Sequence, residues 1–397
     1  MEEYFYGGFG FYKGTVPALK RCYRVRGGVW GKIAFDTLAC WNITPVFCAD
    51  RFKCTEPGGM WKGIPILPPE KLTDYLAYDV LICAPSAFEE VCNQLQIYGF
   101  TKAFHILSLL KETSPKTFEN LQDRLPADKL AEIYSYYMQR ASGKYESLMI
   151  PQISFSITEA CSLKCEKCNA LMPYYQKPET FRFEQYLPEM NRMLDTVDEI
   201  MEIGFIGGEP FLNKELYKYL DWAIGSDKIV SVLIVTNSTI MPDEITIKYM
   251  KHEKVFLGLD NYGALSNKIK VLEEMAIREG IQYYILKDEY WYDFGGIEKR
   301  NYTLEQRKKV FSNCPIRDCN FFMKGKLYRC QFAGNLHNLG YCNGEGDYVD
   351  FSQELSRDAL RQAVSSLLTK REALWACDFC NDMEQKHLIP VAVQVKR

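Results

Sequence analysis

Apolar residues recur along most of this chain at two alternating periods. Ile153, Phe155 and Ile157, separated by Ser154 and Ser156, alternate as a half-buried strand does. Further apolar runs at 202–206, 230–235, 254–259 and 281–286 predict four more strands. Between them Leu187, Met190, Met193 and Leu194, then Leu216, Tyr219 and Leu220, fall at helical spacing, so these methionines read as core. Five strand–helix repeats over 151–300 predict a barrel-type α/β domain. In such domains active sites sit at the carboxyl ends of the strands.

Residues 1–112 also alternate. Strands are predicted at 3–6, 45–50, 63–66, 80–83 and 104–106, with helices at 32–41 and 87–98. This order implies a Rossmann-like, doubly wound parallel sheet. Gly8, Gly10 and Gly14 fit GxGxxxG better than the dinucleotide fingerprint, and Asp50 lies further on than a ribose-binding acid should. A tight first turn with no dinucleotide explains these glycines equally well. Over 113–150 Leu130, Ile133, Tyr134 and Tyr137 make one apolar stripe, punctuated by Pro115, Pro126 and Gly143, which predicts a helical linker without chemistry.

A net charge of −3 over 397 residues, with no basic block, argues against nucleic acid as substrate and against an anionic membrane as surface. No apolar run reaches the roughly 18 residues of a membrane helix. Met1-Glu2-Glu3-Tyr4 does not read as an export signal. Fifteen cysteines without such a signal point to a reducing, cytoplasmic setting and to metal binding or buried thiols.

Those cysteines are unevenly placed, and the densest group is Cys161, Cys165 and Cys168, just after the first barrel strand. Thiolates gathered on a short loop bind zinc or an iron–sulfur cluster. Structural zinc wants a fourth local ligand. No fourth Cys follows nearby, and the nearest downstream His is His252. Three ligands on one loop leave one iron of a 4Fe–4S cube open.

The CxxxCxxC spacing resembles that of the radical SAM family. The resemblance implies that the open iron binds S-adenosylmethionine (SAM), whose reductive cleavage yields a 5′-deoxyadenosyl radical that takes hydrogen from a C–H bond. It also implies a flavodoxin- or ferredoxin-type electron donor and a partial (β/α)6-type barrel, of which five repeats are evident here. Gly207-Gly208-Glu209-Pro210 after the second strand matches the family's GGEP loop, which holds the SAM amine. Two glycines let backbone approach a ligand, and Glu209 could accept from an ammonium. Asn237 after the third strand and Asp260 after the fourth match positions that contact the SAM ribose and carboxylate in related enzymes. As plain sequence they are turn formers. Many members carry an aromatic before the third Cys, where this chain has Lys167. Tyr290-Trp291-Tyr292-Asp293-Phe294-Gly295-Gly296, after the fifth strand, reads as a substrate wall, a lid or a packed crossover loop.

Six more cysteines fall in 301–397: Cys314, Cys319, Cys330, Cys342, Cys377 and Cys380. Cys314 and Cys330 flank a hairpin-like stretch with Gly325 as its turn, and Cys377 and Cys380 form a CxxC. Two distant thiols plus a CxxC is metal-ligand spacing, for which zinc is the common answer. Behind a radical SAM barrel it resembles the Twitch form of the SPASM extension. That implies one auxiliary 4Fe–4S cluster on Cys314, Cys330, Cys377 and Cys380, with Cys319 as an alternative to Cys314. Over about 150–385 the arrangement resembles the butirosin-pathway aminocyclitol dehydrogenase, which implies oxidation with the second cluster taking an electron. Epimerisation is the other outcome, with Cys319 or Cys342 returning hydrogen. The first domain, with its Gly63-Ile64-Pro65-Ile66 and Tyr78-Asp79-Val80-Leu81-Ile82 runs, is similar to small domains of bacterial sugar-modifying and acyltransferase proteins. A carbohydrate or cyclitol substrate is therefore expected. The alternatives are maturation of a ribosomal peptide and a zinc-stabilised binding scaffold, the latter leaving the GGEP loop without a role.

Overall fold

The computed structural model of the protein describes residues 21–23, 29–40, 45, 47–49, 60–61, 63–76, 80–83, 88–100 and 103–105, and 147–395 apart from 287–289, 318, 345, 371 and 384–386. It divides the chain into two units, Met1–Glu146 and Ser147–Arg397.

In the first unit short apolar runs form strands β1 (Arg21–Tyr23), β2 (Phe47–Ala49), β3 (Met60–Trp61), β4 (Ile64–Leu67), β5 (Val80–Ile82) and β6 (Ala103–His105), with helices α1 (Val29–Cys40) and α2 (Phe88–Ile97). The order is β3-β4-β2-β1-β5-β6. All neighbours are parallel except β3 and β4. Strand order thus reverses at β1, as in doubly wound sheets. Val80, Leu81 and Ile82 are fully buried, as a strand covered on both faces requires. The strand that organises this sheet, β1, was not anticipated, because Arg21 and Arg24 break its apolar run. The strand expected at 3–6, the glycines at 8, 10 and 14, Asp50, and the linker helix over 113–146 lie outside the described residues. The end of that linker is extended: β7 (Met149–Ile150) pairs with a strand of the second unit.

The second unit holds a mixed sheet of order β12-β11-β10-β9-β8-β14-β15-β16. Strands β8 (Ile153–Ser156), β9 (Glu199–Ile206), β10 (Ile229–Thr236), β11 (Val255–Asp260) and β12 (Gln282–Leu286) run parallel. They are joined by helices α3 (Phe183–Thr196), α4 (Leu216–Ile224), α5 (Glu244–Met250) and α6 (Ile269–Glu279). Five consecutive parallel strands match the repeats read from the sequence. Among the described residues the sixth parallel strand is β14 (Asn320–Met323), and it pairs with β8 rather than closing beyond β12. After β12 the chain forms β13 (Tyr290–Tyr292) and α7 (Leu304–Asn313) instead of another repeat.

Strand β14 turns through Lys324 and Gly325, both with positive φ, into antiparallel β15 (Lys326–Tyr328), followed by β16 (Tyr348–Asp350). The hairpin read from Gly325 is therefore present, but it extends the sheet of the parallel strands. Phe155 of β8 stacks on Phe322 of β14, ring centroids 4.5 Å apart. Phe322, Leu327, Val349 and Phe351 share one core with strands β8 to β11 and with helix α9 (Arg357–Thr369). Each buried aromatic contributes about 1.5–3 kcal/mol, so the parallel strands and the β14–β16 segment stabilise each other.

Candidate functional site

Strand β8 ends at Ser156, and Ile157 still donates its N–H to Ile206 of β9 (3.0 Å). The two chains then separate into the cysteine loop and the GGEP loop, which remain pressed together. Gly208 N donates to Thr158 O (2.9 Å) and Glu209 N to Ala160 O (2.8 Å). A Cβ on Gly207 would lie 2.2 Å from Thr158 O, and one on Gly208 2.1 Å from Ala160 O and 2.8 Å from Cys161 Cβ. These glycines are required because backbone meets backbone there.

Each thiol of the loop faces a hydrogen-bond donor. Cys161 Sγ is met by Leu163 N at 3.4 Å and Asn237 Nδ2 at 3.5 Å. Cys165 Sγ is met by Gln394 Nε2 at 3.2 Å. Cys168 Sγ is met by the backbone amides of Met172, Ala170 and Leu171, the last with a left-handed φ of 54°. Burial pushes the Cys161 thiol up to about 12 and that of Cys165 to about 11, and also raises Cys168. Nearby thiols add to the rise for Cys161 and Cys165. Thiolates here need a cation, and their sulfurs are provided with N–H dipoles, which is the donor pattern that tunes iron–sulfur ligands.

Glu209 is fully buried. Its carboxylate accepts from Thr236 Oγ1 (2.8 Å), Asn237 N (2.9 Å) and Phe211 N (3.2 Å), which ties the end of β9 to the end of β10. Burial, aided by the charge of Asp260, pushes it up to about 7. Asn237 is thereby placed: its Nδ2 reaches Cys161 Sγ and Ser162 Oγ (3.1 Å), and its Oδ1 accepts from Thr239 Oγ1 (2.6 Å). Asp260 ends β11, and its Oδ2 accepts from Tyr262 Oη (2.7 Å). Burial and Asp260 raise the Tyr262 phenol, and Cys165 and Cys168 raise it further, so this hydroxyl stands within electrostatic reach of the loop. The predicted residues of strands β8 to β11 therefore do converge on one edge.

The extension gathers a second set of thiols. Cys314, Cys330, Cys377 and Cys380 line one recess, walled by Phe294, Phe311, Phe332 and Met383. Burial pushes Cys330 up to about 12 and raises Cys377 and Cys380 well above their ordinary value, with the other thiols of the set adding to each. Cys330 caps helix α8 (Gln331–Asn338), its Sγ accepting from Ala333 N at 3.3 Å. Cys319 stands beside Cys330 but does not line the recess, and Cys342 lies near Asp347 and Tyr328. Among the described residues no group of three or more His, Cys, Asp or Glu is gathered tightly enough to hold a single metal ion.

Two features escaped the sequence reading. Residues 392–395 return to the cysteine loop: Glu166 N donates to Val393 O and Val395 N to Lys164 O, both at 2.8 Å. The β-favouring run Val391-Ala392-Val393-Gln394-Val395 was the available signal. Second, the aromatic stretch after β12 is partly a strand. β13 pairs antiparallel with β17 (Leu388–Pro390), and Trp291 meets Tyr262 edge-on at 5.3 Å.

No protein-family model matches this chain, and no curated protein matches it. The chain is similar to several solved structures, among them the following three. Native anSMEcpe with bound AdoMet and the Cp18Cys peptide is 22% identical over 34% of this chain and 42% of that one, with a TM-score of 0.28. Streptococcus suis SuiB bound to S-adenosylmethionine is 14% identical over 55% and 49%, with a TM-score of 0.29. BtrN in complex with AdoMet and 2-DOIA is 16% identical over 58% and 93%, with a TM-score of 0.33. The match spans less than half the length of the first two proteins. Among the described residues no helix is long and apolar enough to cross a membrane.

Proposed function

We propose that this protein is a radical SAM oxidoreductase that removes hydrogen from an alcohol-bearing carbon of a carbohydrate or cyclitol. The observation that carries the reading is the joining of the two motifs. The GGEP glycines lock against Thr158, Ala160 and Cys161, and all three thiols of the loop face N–H donors. Cys161, Cys165 and Cys168 would hold a 4Fe–4S cluster, which with SAM bound would supply radical hydrogen-abstraction chemistry at this edge.

The chain's own residues would do the following. Gly207 and Gly208 are half-buried and present backbone beside the loop. Glu209 shapes that edge from beneath, because its oxygens already accept three protein hydrogen bonds. The carboxylate of Asp260, half-buried at the tip of β11, suits SAM's ammonium or ribose hydroxyls. Asn237 orients Ser162 and donates toward Cys161.

The four thiols that line one recess are read here as the donor set of an auxiliary iron–sulfur cluster. Oxidation is the outcome proposed, with the second thiol set as the site of the electron acceptor; return of hydrogen by Cys319 or Cys342 would give an epimer instead.

The test is anaerobic. Iron, sulfide and zinc are measured, and the dithionite-reduced protein is assayed with SAM for 5′-deoxyadenosine. About eight irons with deoxyadenosine formation support the reading, and zinc alone with no deoxyadenosine overturns it. Product formed in deuterated water then separates the outcomes: an oxidised, unlabelled product means dehydrogenation, and a labelled epimer means return of hydrogen by an exchangeable thiol.

A further inference from the structure

We propose that Gln394 is a positioning residue for the Cys161–Cys165–Cys168 centre: its carboxamide, clamped to the loop, donates to Cys165 Sγ and makes the centre easier to reduce. The inference rests on the radical SAM reading and deepens it.

The clamp is built from several independent contacts. Residues 392–395 pair with the loop through Glu166 N to Val393 O and Val395 N to Lys164 O, both 2.8 Å. The Gln394 side chain joins the same ladder, since its Oε1 accepts from Lys164 N at 2.8 Å. A backbone N–H can only donate, so this contact fixes the carboxamide's orientation and turns Nε2 away from Lys164. Nε2 then has two partners, Ala392 O at 2.7 Å and Cys165 Sγ at 3.2 Å. Ala392 is buried and left-handed, with φ of 51°, a conformation unfavourable for a residue with a Cβ. Strain held at a buried turn next to a ligand is a mark of function. Here it aims Ala392 O at the carboxamide that meets the sulfur.

The chemical consequence follows from charge. Reduction adds one negative charge to a centre already held by thiolates. An N–H dipole on a ligand sulfur stabilises the more negative state, so hydrogen bonds to sulfur raise the reduction potential. Cys165 has this donor from a side chain, whereas Cys168 is served by backbone amides alone among the contacts described. Gln394 is thus a side-chain donor to Cys165 that a substitution can remove; the Lys164 amide loses its acceptor with it, while the backbone pairing of Glu166 with Val393 remains as the measure of the loop's integrity.

The experiment compares full-length wild type, Gln394→Leu and Gln394→Glu, each reconstituted anaerobically with iron and sulfide. The midpoint potential of the SAM-binding centre is read by electron paramagnetic resonance, and protection of the Glu166 amide by hydrogen exchange. Gln394→Leu is expected to shift the reduction equilibrium about tenfold toward the oxidised state, a fall of about 59 mV for one electron. Gln394→Glu falls further, because it places a carboxylate beside the sulfur. Glu166 stays protected in Gln394→Leu, since its partner is the Val393 carbonyl.

An unchanged potential in Gln394→Leu overturns the proposal. So does a shift that appears only together with lost Glu166 protection, which would assign the effect to cover by the segment. If the variants do not fold, wild type labelled with 15N-glutamine decides: a nitrogen coupling to the reduced centre supports the donor, and its absence refutes it. Wild type that takes up no iron at these three cysteines removes the radical SAM reading and the inference together. A loaded centre without the shift removes the inference alone.

Discussion

The ammonium of Lys167 lies 2.9 Å from the carboxylate of Asp293, which ties the middle of the CxxxCxxC loop to the segment after β13. Asp293 also holds residues beside the second thiol set, next to Phe294 and Asn381 of its wall. Its Oδ1 accepts from Gly295 N (2.9 Å), its carbonyl accepts from Asn381 Nδ2 (2.9 Å), and Gly295 bridges to Cys380. Lys167, immediately before Cys168, is thus a polar tie between the two sets of cysteines.

Lys167→Met is expected to change stability by less than about 1 kcal/mol, because the lysine is 44% exposed and such pairs are weak. Asp293→Ala should cost more, on the order of 1–3 kcal/mol, because it also strands the Gly295 amide. Urea midpoints at constant m-value measure both. Iron analysis should show Asp293→Ala losing metal from the Cys380 set first.

Gly208→Ala and Gly204→Ala form a matched pair. At Gly208 the new Cβ would meet Ala160 O at 2.1 Å, where only backbone can yield, while at Gly204 its nearest neighbour is Ser154 Oγ at 3.7 Å. Gly208→Ala should therefore lose about 3 kcal/mol or more and most of its iron at the loop, and Gly204→Ala should keep both within about 1 kcal/mol of wild type. Thermal melting and iron content decide the matter.

Glu209 predicts a pH dependence. Its folded-state value is pushed from 4.5 up to about 7 by burial, so between those values the folded protein binds more protons than the unfolded chain. Stability contributed by Glu209 is present below pH 4.5 and falls as pH rises through 7. Relative to Glu209→Gln, which does not titrate, metal-free wild type should lose on the order of 3 kcal/mol across that window. Parallel curves for the two proteins in chemical denaturation from pH 4.5 to 8 would contradict the burial argument.

Cysteine substitutions separate ligands from bystanders. Cys314→Ser, Cys330→Ser, Cys377→Ser and Cys380→Ser should each drop bound iron by about half, from roughly eight to roughly four. Cys319→Ser and Cys342→Ser should leave it unchanged, since neither thiol lines the recess. Loss of iron in Cys319→Ser with retention in Cys314→Ser would exchange their roles.

Much of this was legible in the sequence because its signals are local. The strand at Ile153–Ser156 was marked by alternation, the cysteine loop by spacing, and the hairpin turn by Gly325, since each depends on a few adjacent residues. The glycines of GGEP were legible as necessary, but their reason was not. They face the backbone of Thr158 and Ala160, some fifty positions away in sequence, and no periodicity encodes that distance.

Pairing between remote segments was decided only by the tertiary structure. Hydrogen-bond ladders are alike at every strand edge, so Asn320–Met323 could have followed β12 and instead lies on β8, where Phe322 stacks on Phe155. Gln394 reaches Cys165 across 229 positions for the same reason: the backbone offers its donors and acceptors without regard to sequence distance, and packing selects the partner. The sequence alone determined which side chains can hold metal. Folding determined which thiols face one another, which donors serve each sulfur, and that Glu209 would be buried beneath the loop it supports.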